Sequence, residues 1–135
     1  MAPSPASRIQ AANAALLVEG DLDAVGEYFA PEYVAHFTGE DLTGGPAAIR
    51  KFLGQLRRAF ADLEVEVEIL VESRDRVAWQ RTIRATHRAS YQGFPATDRP
   101  IVWRDMVTSR FRDGLIVEDW ALSDLAEQLL RARKS

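Results

Sequence analysis

The chain has 135 residues, 47% apolar and 27% charged, with a formal charge of −3 and a pI near 5.4. This composition fits one globular domain over residues 1–135, large enough for a sizeable core. It offers no basic stripe for nucleic acid, no apolar run approaching ~18 residues to cross a membrane, and no cysteine for disulfide or thiol chemistry. The segment Met1 to Arg8 lacks the basic-then-apolar order of a signal peptide, so the cytoplasm is the expected compartment.

Ser4 followed by Pro5 predicts a capped helix start, and Ile9, Ala12, Leu16 and Leu17 recur at helical spacing until Gly20. Asp21 to Phe29 predicts a short second helix ended by Pro31. Tyr33 to Phe37 then reads as a short extended piece carrying His36, and Thr38 to Gly45 as a polar loop. Pro46 opens a third helix with Ile49, Phe52, Leu53, Leu56 and Phe60 on one stripe. The period then changes from 3.6 to 2. Leu63, Val65, Val67, Ile69 and Val71 alternate with glutamates as a half-buried strand. Val77 to His87 and Ile101 to Phe111 follow as strands whose apolar faces are the odd positions, separated by the loop Ala89 to Arg99. Leu115 to Leu122 is a further long strand, and Ser123 and Asp124 cap a last helix through about Arg131. Helices first and then a meander of long strands predict an α+β fold with helices on one face of a curved, mostly antiparallel sheet.

Several polar side chains break the inward pattern: Arg81, His87, Asp105, conditionally Asp119, and His36 from the short strand. Buried charge is costly unless it is paired or faces a wet cavity, so such a face lines a pocket more readily than a sealed core. Trp79, Trp103 and Phe94 are core or pocket wall. The turn Arg112-Asp113-Gly114 decides whether the two aspartates meet. A two-residue Asp113-Gly114 turn pairs Arg112 with Leu115 and sends Asp119 away from Asp105. A three-residue loop pairs Phe111 with Leu115 and points both inward, Asp105 opposite Ala121 and Asp119 opposite Val107. The longer loop is favoured because it needs positive φ at glycine alone. Two inward carboxylates one register step apart would push each other's pKa apart and suit acid–base catalysis. The plainer alternative is a salt bridge from Asp105 to Arg81 or Arg104. A lone histidine is most often a hydrogen-bonded core residue, and neither His36 nor His87 stands in a metal-ligand cluster, so no metal is expected. There is no nucleophile-elbow serine and no phosphate-binding glycine loop.

The motifs Phe29-Ala30-Pro31-Glu32-Tyr33-Val34-Ala35-His36, Ala59-Phe60-Ala61-Asp62-Leu63, Thr86-His87, Gly93-Phe94-Pro95-Ala96-Thr97-Asp98-Arg99-Pro100, Arg110-Phe111-Arg112-Asp113-Gly114 and Ile116-Val117-Glu118-Asp119-Trp120 with Asp124 resemble the SnoaL-like polyketide cyclase (ester cyclase) family. That family lies in the nuclear-transport-factor-two-like superfamily. The resemblance implies a cone-shaped α+β barrel around an apolar pocket, and homodimers packed through the sheet. It implies a small apolar substrate and an intramolecular aldol closure without metal or cofactor. The family's catalytic acid/base falls on Asp119, where many relatives have histidine. Pocket polar positions fall on Trp103 and Asp105, with His36 and His87 contributing. The chain departs from the family at Ala85 and Ala89, where glycine is usual, and at Ala96-Thr97-Asp98, where proline-threonine-glycine is usual. An epoxide hydrolase of the superfamily needs an Asp-Arg-Asp set with arginine two residues before the first aspartate. Trp103 stands there, although Arg81 could reach in from the neighbouring strand. The expected function is therefore a cofactor-independent cyclase acting through Asp119. The alternatives are a non-catalytic apolar-ligand binding protein, or an isomerase or hydrolase using the same pocket.

Overall fold

The computed structural model describes residues 3–134. Helix α1 (Pro5–Asn13) starts as expected: Ser4 Oγ accepts the Ser7 N–H at 3.2 Å and Pro5 occupies the first turn. After Asn13 the helix widens into a π turn over Ala14–Val18, where the Glu19 N–H reaches back to the Ala14 carbonyl at 2.9 Å. A 3₁₀ turn (Leu22–Ala24) and helix α2 (Val25–Tyr28) follow. The expected second helix is thus shorter than its pattern, because strand β1 (Phe29–Phe37) begins before Pro31. Strand β2 (Glu40–Leu42) forms inside what reads as a polar loop.

Helix α3 (Gly45–Ala59) buries Ile49, Leu53 and Leu56 along the expected stripe, whereas Phe60 already belongs to strand β3 (Phe60–Glu72). Gly45 cannot be replaced cheaply. It has φ +67°, and a Cβ there would stand 2.3 Å from the Pro31 carbonyl oxygen. That close approach seats α3 against β1.

Strands β4 (Arg76–His87), β5 (Pro100–Arg112) and β6 (Leu115–Ser123) complete the sheet, and helix α4 (Leu125–Lys134) ends the described chain. The sheet order is β2-β1-β6-β5-β4-β3. All pairs are antiparallel except β1 with β6. The α+β architecture is the expected one, but the sheet does not close on itself: β2 and β3 are its edges. Helix α1 packs on β3 and β4, α3 on β1 and β3, and α4 on β5. The odd positions of β4 and β5 face this helical layer, so Val77, Trp79, Ile83, Ile101 and Trp103 are buried. Each such large apolar side chain contributes about 1.5–3 kcal/mol. No helix among the described residues is long and apolar enough to cross a membrane.

The β5–β6 hairpin departs from the favoured register. Arg112 pairs with Leu115, so the turn is the two-residue Asp113-Gly114, with φ of +53° and +79°. Both residues take the left-handed conformation of a primed hairpin turn, which aspartate tolerates better than most side chains. Phe111 then pairs with Ile116 and Arg110 with Glu118, leaving Val117 as an extra residue. This bulge reverses the inside–outside parity of β6. Asp119 lands opposite Ser109 and points inward after all. Asp105 lies opposite Ser123, four residues further along β6 rather than two. At ~3.3 Å per residue that separates the two carboxylates by about 13 Å along the strand.

Candidate active site

Two adjacent chambers lie between the sheet and the helices. The outer one, about 750 Å³, is lined by Phe37, Phe52, Tyr91, Phe94, Trp103, Arg81 and Asp105, among others. The inner one, about 80 Å³, is lined by Tyr33, Trp79, Arg81, Asp119 and apolar residues of α1, α3 and β1. Phe37, Phe52, Arg81 and Ala121 line both and stand where the two adjoin. Phe37 and Phe52 stack there with ring centroids 5.4 Å apart.

Asp119 is half-buried, and both of its carboxylate oxygens accept hydroxyl hydrogen bonds. Tyr33 Oη donates to Oδ2 at 2.7 Å. Ser109 Oγ donates to Oδ1, and Ser109 in turn accepts the Trp79 Nε1–H at 3.0 Å. Burial pushes the Asp119 carboxyl above the usual aspartate value, against the hydrogen bonds of Ser109 and Tyr33 and the Arg81 charge, which pull it down. Asp105 is not among the causes of that shift. Tyr33 is buried. Its phenol stands well above 10, first through burial and then through the charge of Asp119 and the bond to it.

The plainer expectation for Asp105 is what the structure shows. Arg81 donates to Asp105 Oδ2 from Nη2 at 2.6 Å and from Nε at 3.0 Å. Arg81 Nη1 donates to Asn13 Oδ1 at 2.8 Å, and Asn13 Nδ2 donates to the Ile9 carbonyl at 2.9 Å. The guanidinium also lies over Trp79, 5.3 Å from its ring centroid. Asp105 faces the outer chamber, where burial and then its charge push the Tyr91 phenol up to about 12.

The two histidines are not where the expectation puts them; neither lines a chamber. Ala35 pairs with Asp119, so its neighbour His36 points to the opposite face of the sheet. There it stacks on Trp120, with Nε2 2.6 Å from Glu118 Oε2 and Nδ1 2.9 Å from Asp41 Oδ1. Those two bonds raise its pKa above 6.5, the one to Glu118 most. His87 is fully buried and stacks against Phe60 at 5.0 Å. Its Nδ1 accepts the Thr97 N–H at 3.3 Å, and burial lowers its pKa. It anchors the Ala89 to Arg99 loop behind the pocket wall. Trp79 belongs to the inner chamber, Trp103 and Phe94 to the outer, and Arg81 to both. Among the described residues no three acidic or histidine side chains converge as a metal-binding group.

The family model for SnoaL-like polyketide cyclases matches residues 7–131. The chain belongs to the SnoaL-like polyketide cyclase family. Among solved structures, IdmH of Streptomyces antibioticus, named as a candidate polyketide cyclase, is 28% identical, with 98% of this chain and 100% of that one covered and a TM-score of 0.82. AclR of Streptomyces galilaeus, named as a candidate hydroxylase, is 27% identical over 97% of this chain and 96% of its own, with a TM-score of 0.81. A candidate polyketide cyclase from Acidithiobacillus ferrooxidans, 22% identical over 99% and 97% of the two chains, shares the fold with a TM-score of 0.84. No curated protein sequence matches the chain.

Three site residues escape the sequence patterns. Ser109 carries a usable signal, since it shares the odd, inward positions of β5 with Asp105. Asn13 follows Ile9 by four residues and so shares its helix face. Tyr33 carries none, because its place depends on the parallel β1–β6 pairing.

Proposed function

We propose that this chain is a cofactor-independent cyclase that closes a ring by intramolecular aldol addition within an apolar carbonyl or ester substrate, with Asp119 as the acid/base. The observation that carries this is a single carboxylate, raised by burial and lining a small apolar chamber; the family resemblance implies an acid/base at the same residue. Asp119 removes a proton alpha to two carbonyls. The enolate is delocalised over the substrate's own oxygens, and the chamber walls orient it and exclude water. The outer chamber, within the ~300–1,000 Å³ typical of ligand sites, holds the rest of the molecule. The test uses an open-chain methyl β-ketoester with a second ketone placed to form a six-membered ring (methyl dioxooctanoate with ketones at the third and seventh carbons). Ring closure at the wild-type rate in Asp119→Asn would reject Asp119 as the base.

Arg81 supports a second function on the same pocket. It reaches from β4 to Asp105 and lines the inner chamber with Asp119, so it would stand between the two aspartates although position 103 is not arginine. Such a set could activate water against a strained electrophile. Turnover of an apolar epoxide in ¹⁸O-labelled water, with label in the diol, is the outcome that favours this hydrolase over the cyclase.

Assembly as a homodimer through the outer sheet face belongs to the same proposal. Val102, Met106, Trp120 and Leu122 are exposed on adjacent strands β5 and β6, and Met106 pairs directly with Leu122. The neighbouring strands set Glu64 opposite Arg84, a pair worth only ~0.2–1 kcal/mol, so the apolar patch is the stronger driving force. Sedimentation is expected to give twice the 15.1 kDa chain mass, and Met106→Glu is expected to halve it. A wild-type particle of one chain mass at high concentration overturns the dimer.

A further inference from the structure

We propose that Tyr33 is a second catalytic residue: it protonates the alkoxide formed on ring closure, while Asp119 removes the carbon-bound proton. This rests on the cyclase function proposed above. It divides between two groups the work otherwise given to Asp119 alone.

The geometry of the inner chamber carries the division. Asp119 Oδ1 is held by Ser109, which is itself held by Trp79, so the carboxyl is not free to turn and follow a proton from carbon to oxygen. Oδ2 meets Tyr33 Oη at 2.7 Å. The other polar groups of this chamber are engaged elsewhere. Asn13 and Arg81 bind each other, Arg81 also binds Asp105, and the Trp79 N–H serves Ser109. Among the described residues that line the chamber, Tyr33 carries the one hydroxyl, and that hydroxyl already touches the base.

The step balances within these groups. Asp119 takes the alpha proton, and the C–H electron pair becomes the enolate. The enolate carbon bonds to the second carbonyl carbon, whose π pair moves onto its oxygen. Tyr33 passes its phenolic proton to that oxygen. The proton held by Asp119 then crosses the 2.7 Å contact to the phenolate and restores both residues. One carbon–carbon bond forms, and one proton moves from carbon to oxygen.

Electrostatics times the transfer. While Asp119 is ionised, burial and the adjacent carboxylate keep the Tyr33 proton in place. Once Asp119 has taken the substrate proton, the carboxylate's opposition disappears and Tyr33 becomes a stronger acid at the moment the alkoxide appears.

The experiment separates the two proton transfers on the same β-ketoester probe. Exchange of the alpha hydrogen for deuterium reads Asp119, and ring product reads Tyr33. Tyr33→Phe keeps the fold's apolar contacts. It is expected to retain exchange within about 3-fold of wild type while ring formation falls about 100-fold or more, the range of general acid catalysis. A fluorinated tyrosine at position 33, a stronger acid of nearly the same shape, is expected to restore closure. Equal loss of exchange and closure in Tyr33→Phe makes Tyr33 a structural partner and overturns the proposal, as does loss of neither. Asp119→Asn tests the underlying function separately: if it keeps exchange, Asp119 is not the base, whatever Tyr33 does. A wild-type protein that neither exchanges nor closes the probe above buffer sinks both.

Discussion

Asp119→Asn is expected to lower ring closure by about 100- to 10,000-fold and, in the same preparation, to raise thermal stability. The two effects have one cause. The carboxylate is partly shielded from water, and burial is the largest influence on it, strong enough to keep its pKa above the ordinary value despite two hydroxyl donors and the Arg81 charge. A folded-state pKa raised above the unfolded one means that the folded chain binds the proton more tightly. Folding is therefore opposed by Asp119 at neutral pH, and the opposition fades as pH falls through the raised folded value toward the unfolded one. Asparagine removes the charge and can still accept a hydroxyl hydrogen bond. Thermal melts at pH 7 should show a gain of a few degrees, the equivalent of about 1 kcal/mol in a domain of this size. The gain should shrink in acid, where the wild-type carboxyl is itself protonated. Activity runs the other way. A base must be ionised, so wild-type closure should fall as pH drops through the Asp119 pKa, at a pH above that of an ordinary aspartate. A wild-type profile flat down to the ordinary aspartate range, or a less stable Asp119→Asn protein at pH 7, contradicts this account.

The legibility of that site in the sequence is uneven for physical reasons. Alternation along β4 and β5 is a local property, and it placed Trp79, Arg81, Trp103 and Asp105 on the inner face. Asp119 was harder, since its side depends on both turn length and strand regularity. The favoured three-residue loop and the observed two-residue turn with a bulge at Val117 give β6 the same parity, so the inward aspartate was expected for a different backbone reason. The register itself shows the difference. It places Asp119 beside Ser109 rather than Val107, and so assembles a hydroxyl-ligated carboxylate instead of a pair of aspartates. His36 shows the limit of local patterns from the other side. Whether a short strand turns its histidine inward depends on its partner, and β1 pairs in parallel with β6, the strand most distant from it in sequence. The family resemblance supplied the fold and pointed to Asp119, but it did not supply Tyr33, whose role arises from that same non-local pairing.

Arg81→Met is expected to be the most destabilising single change in the pocket, by about 3–5 kcal/mol. Asp105 is only 6% exposed and would keep its charge without the guanidinium that now gives it two hydrogen bonds. Asn13 Oδ1 would lose its donor as well. Melting should fall by roughly 10–20 °C at pH 7. The double variant Arg81→Met with Asp105→Leu should recover most of the loss, since the cost of breaking a buried pair comes mainly from the partner left behind. That recovery would show the pair is not net stabilising, and would leave it the role of holding a cation beside both chambers, on the path of the proposed substrate to Asp119. The double variant should then fold well and close rings poorly. If it closed them at the wild-type rate, Arg81 would be a packing element and the path would need no charge.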